Sequence, residues 1–422
     1  MTKRIGRRAF LRRGALAAAA LPLLGAAAAC GRRGSISTGT APEGIAFGPL
    51  PVDAGLQLAS SLPIERGATL RVYEWKDYLS SRVLASFEQA YASQDVHIQV
   101  ESFTRIDEAI ARLQDPSSDF DVVFPVIDVL PGMVAAGLLR PLNHDYLPHL
   151  SNLWGWFRTG DGPFYDPGQR YTTPYTIYTG GIGWRADMVR GADAPDARAD
   201  PYAIFTDPGY RDRVGIYDAY RDAIALGLQQ AGVHDLRAAT SDQLTAAGNF
   251  LADAVARANA RFTDDGAEEG LPERTFAVHQ AWSGDILTAP RYAAAEGDNP
   301  AEVAGALRYW SPSEPSRVVG LDLTAICARG RNPVAAHAFL DHLLRFDVAL
   351  DNFAWNGYQV PMEGATREAF ADPSFRWHSA VPANLRDAIV SEDEFAQGQM
   401  LVGFGPSQDA AWLAQWSRVV PA

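Results

Sequence analysis

The side chains that could do covalent or metal chemistry are few in this chain of 422 residues. Its only lysines are Lys3 and Lys76, which excludes a phosphate-cradling loop built on Gly-Lys. The closest histidine pairs, His144/His149 and His337/His342, are five residues apart and lack the HExxH spacing of a zinc protease, so no metal site is expected. No Gly-x-Ser-x-Gly elbow occurs. Gly181-Ile182-Gly183-Trp184-Arg185-Ala186 formally fits a dinucleotide fingerprint, but the bulky Trp184 and its place deep in the chain speak against one. Carboxylates are plentiful and none is singled out as half of a catalytic pair. No catalytic residue and no cofactor is expected. Of the two cysteines, Cys327 sits in the apolar run Leu323–Cys327, which suits a buried inert thiol.

The elements that would position a site alternate. Leu70 and Val72 alternate with Arg71 and Tyr73 as in a strand, and Ile98 and Val100 do so again. Residues 80–92 carry Val83, Leu84, Phe87, Ala90 and Tyr91 at helical spacing, and residues 105–114 carry Ile106, Ala109, Ile110 and Leu113. Phe120–Phe124 reads as a short buried strand ended by Pro125. Strand–helix–strand–helix–strand predicts parallel βαβ units and an α/β layer architecture. Ligands of such sheets bind beyond the carboxyl ends of the strands, here Glu74–Tyr78, Phe103-Thr104 and Pro125–Asp128. The glycines of Thr179–Trp184 suit a crossing segment that needs unusual torsions. Further helices are expected near 221–231, 242–258 and 333–345. Trp310 and Trp355 read as core.

The N-terminus reads as a targeting segment. Arg7-Arg8 is followed by Phe10-Leu11, then by an apolar stretch over 14–29 that is too short to span a bilayer, which takes about 20 residues. This resembles a twin-arginine export signal. Ala27-Ala28-Ala29-Cys30-Gly31 resembles a bacterial lipobox, which would make Cys30 a lipidated mature N-terminus. Ordinary cleavage at an Ala-x-Ala site is the alternative. Residues 30–66 then read as the lipidated cysteine and a flexible tether. Losing the six basic residues of the first 29 takes the formal net charge from −13 to −19. So acidic a surface repels nucleic acid and anionic headgroups and favours cationic partners.

Val72–Tyr78, Phe120–Pro125, Pro174-Tyr175 with Gly181–Gly183, Ala281–Asp285, Gly320–Asp322 and Asn356–Tyr358 occur in the order seen in spermidine/putrescine-binding proteins. Over residues 67–420 the chain resembles the polyamine-type substrate-binding proteins of ABC importers. The resemblance implies a two-lobed α/β fold of the periplasmic-binding-protein kind (type II), each lobe a mostly parallel sheet flanked by helices, with the ligand between the lobes. Lobe 1 would take 67–177 plus 321–366, and lobe 2 would take 178–320 plus 367–422. Hinge segments would lie near 176–182, 318–323 and 360–367. It implies cleft aromatics at Trp75, Tyr78, Trp282 and Tyr358, and ammonium-binding carboxylates at Asp222 and Asp322. Asp218, four residues before Asp222, would face the same side, and Asp128 would be an additional cation partner. Aromatic faces cover methylenes and attract cations, worth about 0.5–2 kcal/mol each when desolvated. A buried ammonium in turn needs a carboxylate.

The implied function is that of a non-enzymatic, lipid-anchored, extracytoplasmic monomer that hands a polyamine to an ABC permease. Departures from the pattern bear on the ligand. Lys76 would repel an ammonium if it faced the cleft, or would favour a ligand carboxylate or phosphate; it could equally face outward or pair with Glu74 or Asp77. Gly320 stands where an aromatic is common, which predicts a more open box. The alternatives are the same role for a zwitterionic amine, an amino-acid derivative or a sugar, an exported hydrolase using paired carboxylates, and a structural envelope protein.

Overall fold

A computed structural model describes residues 50–158, 164–313 and 315–420. The export signal with Arg7 and Arg8, the lipobox Cys30 and the tether up to residue 49 lie outside the described residues.

The strands are β1 (Thr69–Trp75), β2 (His97–Phe103), β3 (Val122–Val123), β4 (Leu139–Arg140), β5 (Thr172–Arg185), β6 (Val214–Tyr217), β7 (Arg261–Thr263), β8 (Val278–Trp282), β9 (Leu307–Trp310) and β10 (Val319–Cys327). The helices that matter for the site are α1 (Ser81–Ala90), α2 (Ile106–Gln114), α3 (Tyr220–Gln230), α4 (Ser241–Ala258), α5 (Ser283–Glu296), α6 (Pro333–Leu343), α7 (Phe346–Asn356) and α8 (Pro406–Val419). The α1 helix starts because the Ser80 hydroxyl accepts the Val83 N–H at 3.2 Å. It docks by burying Val83 and Phe87, each worth about 1.5–3 kcal/mol of apolar transfer. The α4 helix opens with a reciprocal capping box between Thr240 and Gln243.

One set of strands runs β2-β1-β3-β10-β5, with β1 parallel to β2 and β3, and β10 antiparallel to β3 and β5. A second set runs β5-β8-β6-β7, with β6 parallel to β7 and β8. The link is β5. Its Thr172–Thr179 stretch pairs with β10, and from Gly180 onward it pairs with β8 and, from Ile182, with β9. One long strand therefore serves both halves of the molecule. Trp184, Ile216, Leu226, Leu251 and Trp412 form a core under α3, α4 and α8. Val72, Phe87, Val122, Phe339 and Leu340 form another beneath α1 and α6.

Four expectations change. Residues 50–66 are not a free tether: Leu50 joins the core, the Arg140 guanidinium donates to the Leu56 carbonyl at 2.7 Å, and Glu65 accepts the Val334 and Ala335 N–H groups at 3.0 and 2.8 Å. Side chains distant in sequence hold this segment by its backbone, so no local periodicity announces it. The Phe120–Phe124 strand shrinks to Val122–Val123, and beside it the Asp121 carboxylate accepts the backbone N–H groups of Arg71 and Asn332, both at 2.8 Å. The β5 glycines keep ordinary extended torsions and serve close packing instead: a Cβ on Gly181 would meet the Trp310 carbonyl at 2.3 Å. Trp355 is 36% exposed rather than core, with Arg291 lying 4.2 Å over its ring.

Candidate functional site

Beyond the end of β1, the chain turns through Asp77, which takes a left-handed φ of 64°. The turn is fixed from above: the Tyr78 carbonyl accepts from the Tyr175 hydroxyl at 2.9 Å and from Asn352 and Asn356 at 3.0 and 3.2 Å. Tyr78 is thereby aimed at Asp322, to which its hydroxyl donates, while Thr176 donates to the same carboxylate at 3.4 Å. Asp322 sits where the β5/β10 register slips, between Asp322 and Leu323. Such irregularities re-aim side chains beside functional sites.

The other half contributes from helix starts. Asp222 lies in the first turn of α3 and accepts the Trp282 indole N–H at 3.3 Å. Asp285 lies in the first turn of α5 and accepts the hydroxyls of Tyr217 and Tyr358, the latter at 2.5 Å. Helix N-termini favour the charged form of an acid. Tyr358 reaches Asp285 because Gly284 has no side chain: a Cβ there would lie 2.5 Å from the tyrosine ring.

These side chains form a continuous series of ring contacts. Tyr78 meets Tyr358 at 5.6 Å, Tyr358 meets Tyr178 at 5.8 Å, Tyr178 meets Trp282 at 5.3 Å, and Trp282 stacks on Tyr217 at 4.5 Å. Burial raises the carboxyls of Asp222 and Asp322 to about 6 against the bonds they accept, and it raises that of Asp285 as well. Among the described residues, none of the three forms an ion pair. Two buried carboxyls and one half-buried, none of them ion-paired and all set along aromatic faces, make a site suited to positive charge carried on a hydrophobic frame.

Of the expected site residues, Tyr78, Asp222, Trp282, Asp322 and Tyr358 come together here. Trp75 is adjacent but outside the ring series: it packs on Phe103 at 4.6 Å, and its indole N–H is buried without a partner. Asp218 follows β6 directly, and its backbone N–H donates to the Thr263 carbonyl at 3.1 Å. Asp128 is a correction. It is ion-paired with Arg221, so its cation comes from within the chain. Lys76 is exposed and forms no ion pair among the described residues, so Glu74 and Asp77 are not its partners. Glu74 is instead buried, and burial with Asp77 nearby pushes its carboxyl up to about 8.

Sequence reasoning missed Tyr178, Tyr217 and Asp285. Asp285 was within reach, since it ends the quoted Ala281–Asp285 motif. Nothing local marks the two tyrosines, which converge only through strand pairing. The more open box expected at Gly320 is not observed, because the Tyr178 ring covers that glycine.

A two-lobed α/β body with an acidic, aromatic site whose carboxyls form no ion pair among the described residues has the character of a solute-binding protein. The family described as bacterial extracellular solute-binding protein matches residues 83–380, more than half of the chain, and the chain belongs to it. That family comprises binding proteins of ABC transporters, not enzymes. A putrescine/agmatine-binding protein of Pseudomonas aeruginosa is 26% identical over 296 residues, 69% of this chain and 77% of its own length. The putrescine-binding periplasmic protein PotF of Escherichia coli is 26% identical over 66% of this chain and 74% of its own. Among solved structures, the spermidine/putrescine substrate-binding protein PotD of Streptococcus pneumoniae superposes with a TM-score of 0.65 at 20% identity, covering 83% of this chain and 98% of that one. The Tp0655 lipoprotein of Treponema pallidum gives 0.65 at 19% identity, over 83% and 99%. No helix among the described residues is long and apolar enough to cross a membrane.

Proposed function

We propose that this chain captures a polyamine in the cleft lined by Tyr78, Tyr178, Trp282 and Tyr358 and delivers it to an ABC permease. The observation that carries the reading is that Asp285 and Asp322 are buried and Asp222 half-buried, that all three are hydrogen-bonded to aromatic side chains, and that none forms an ion pair among the described residues. Ammonium groups separated by methylenes answer both halves of that site: the acids take the charges and the rings take the chain. The names of the relatives support the same ligand class. Trp75 is kept as a further aromatic face for the methylenes at one edge of the site. Asp218 is kept as a neighbouring acid, whereas Asp128 serves the fold.

Closure would use β5, the strand shared by both halves of the sheet, with β10 paired beside it. Bending near 176–182 and 318–323, with 360–367 as the third connection, would let a ligand that touches both lobes stabilise the closed form for the permease. The domain boundaries 67–177 plus 321–366 and 178–320 plus 367–422 belong to this proposal. Export through Arg7-Arg8 and anchoring through a lipid on Cys30 would hold the monomer at the outer face of the cell membrane. Replacing Cys30 with Ala should move the protein from the membrane to the soluble fraction, and unchanged membrane association would remove the anchor.

Titration calorimetry of the purified chain against putrescine and spermidine, with glycine betaine and a neutral sugar as controls, tests the ligand class. Saturable one-to-one polyamine binding supports it. Binding of a control alone replaces it.

A further inference from the structure

We infer that Tyr178 is the ligand-facing wall that decides what this cleft accepts, and that Gly320 is the space that lets it stand there. This deepens the polyamine reading and rests on it. Tyr178 and Gly320 are direct partners in the antiparallel β5/β10 pair, so their side-chain positions share one face of the sheet. A Cβ at Gly320 would lie 2.3 Å from Cζ of Tyr178 and 2.5 Å from its hydroxyl oxygen. No other residue type fits unless the ring moves. The glycine therefore lets the tyrosine lie across its own strand partner.

That placement puts Tyr178 in the middle of the site. Its ring touches Trp282 on one side and Tyr358 on the other, at 5.3 and 5.8 Å. Desolvation first, and then the carboxylates of Asp322, Asp222, Asp128 and Asp285, raise its phenol well above the usual value and keep it protonated. Its neighbours Tyr78, Tyr217 and Tyr358 all spend their hydroxyls on aspartates. Among the described residues, the Tyr178 hydroxyl has no hydrogen-bond partner. A ring face and a phenol oxygen without a partner, surrounded by acids, are what an ammonium-bearing chain would meet.

The test is calorimetric titration with putrescine and spermidine of the wild-type chain, Tyr178→Leu, Tyr178→Phe, Tyr178→Ala, Gly320→Ala and the exchange Tyr178→Ala with Gly320→Phe, each checked for cooperative melting. Tyr178→Leu should lower affinity at least about tenfold, the loss of a desolvated aromatic face. Tyr178→Phe keeps the ring and should lose less. Gly320→Ala should weaken binding by displacing the ring, although it touches no ligand. The exchange returns a ring to the same face and should bind more tightly than Tyr178→Ala alone. Wild-type binding with Tyr178→Leu and Tyr178→Phe both within twofold overturns the assignment and leaves the polyamine reading standing. Unchanged affinity in Gly320→Ala overturns the role of the glycine. No polyamine binding by the wild-type chain overturns the polyamine reading, and this inference with it.

Discussion

Arg221 pairs with Asp128, not with its neighbour in sequence, Asp222. The same guanidinium also bonds Asp409 of α8 at 2.9 Å and the Leu401 carbonyl at 3.3 Å, and it lies 4.9 Å over Phe404. This pairing determines what the adjacent acid can do. With Arg221 committed elsewhere, Asp222 is left with the Trp282 indole and no cation. The ion pair that would have made Asp222 an ordinary structural acid does not form.

Replacing Asp322 with Asn should therefore weaken cation binding about 10- to 100-fold, as expected for loss of a charge-assisted bond. Calorimetry with putrescine checks this, and the affinity for any neutral solute should not change. Equal losses for both would make Asp322 a structural residue.

Trp282→Ala removes a ring stacked on Tyr217 and a donor to Asp222. Putrescine affinity should fall about 5- to 30-fold, and the ligand-induced change in tryptophan fluorescence should shrink. Trp75→Ala should also reduce affinity, but by less, since Trp75 stands outside the ring series.

Affinity for a cation should fall as pH drops through about 6, where Asp222 and Asp322 take up protons and lose the charge that attracts an ammonium. Stability without ligand runs the other way. Both acids are raised in the folded state, so each contributes stability below its unfolded value of about 4 and loses it as pH rises through about 6. Melting of the ligand-free chain at pH 5 and pH 7.5, wild type against Asp322→Asn, reads this directly. The variant should show the smaller drop.

Glu74 extends the same logic to higher pH, because burial raises its carboxyl to about 8. Its stabilising contribution is lost between about 4 and 8. Glu74→Gln should melt higher than wild type at pH 9, relative to the two at pH 5. A wild-type advantage at pH 9 would mean that Glu74 has a cation partner.

Asp128→Asn breaks one arm of a partly buried pair while Arg221 keeps Asp409. The cost should be about 1–3 kcal/mol, below the 3–5 kcal/mol of leaving a buried charge alone. Denaturant unfolding measures it, and putrescine affinity should change far less than in Asp322→Asn.

The sequence alone determined the layered α/β class and the positions of the principal helices, and it supplied most of the residues of the candidate site. Those features are periodic or local: apolar spacing around Val83 and Phe87 defines one buried helix face, and Trp75–Tyr78 and Ala281–Asp285 sit where strands end. Pairing between distant segments was decided by tertiary structure. Gly320 looked like a gap in the box, but register places Tyr178 over it. Asp128 and Asp222 looked alike as acids, and only the direction in which Arg221 reaches separates a fold-holding carboxylate from one left without a cation. Residues 50–66 looked like tether, because the groups that bind their backbone lie far along the chain. A side chain's type is local information, whereas the charge or ring facing it depends on which strand lies alongside, and that is fixed only when both lobes have folded.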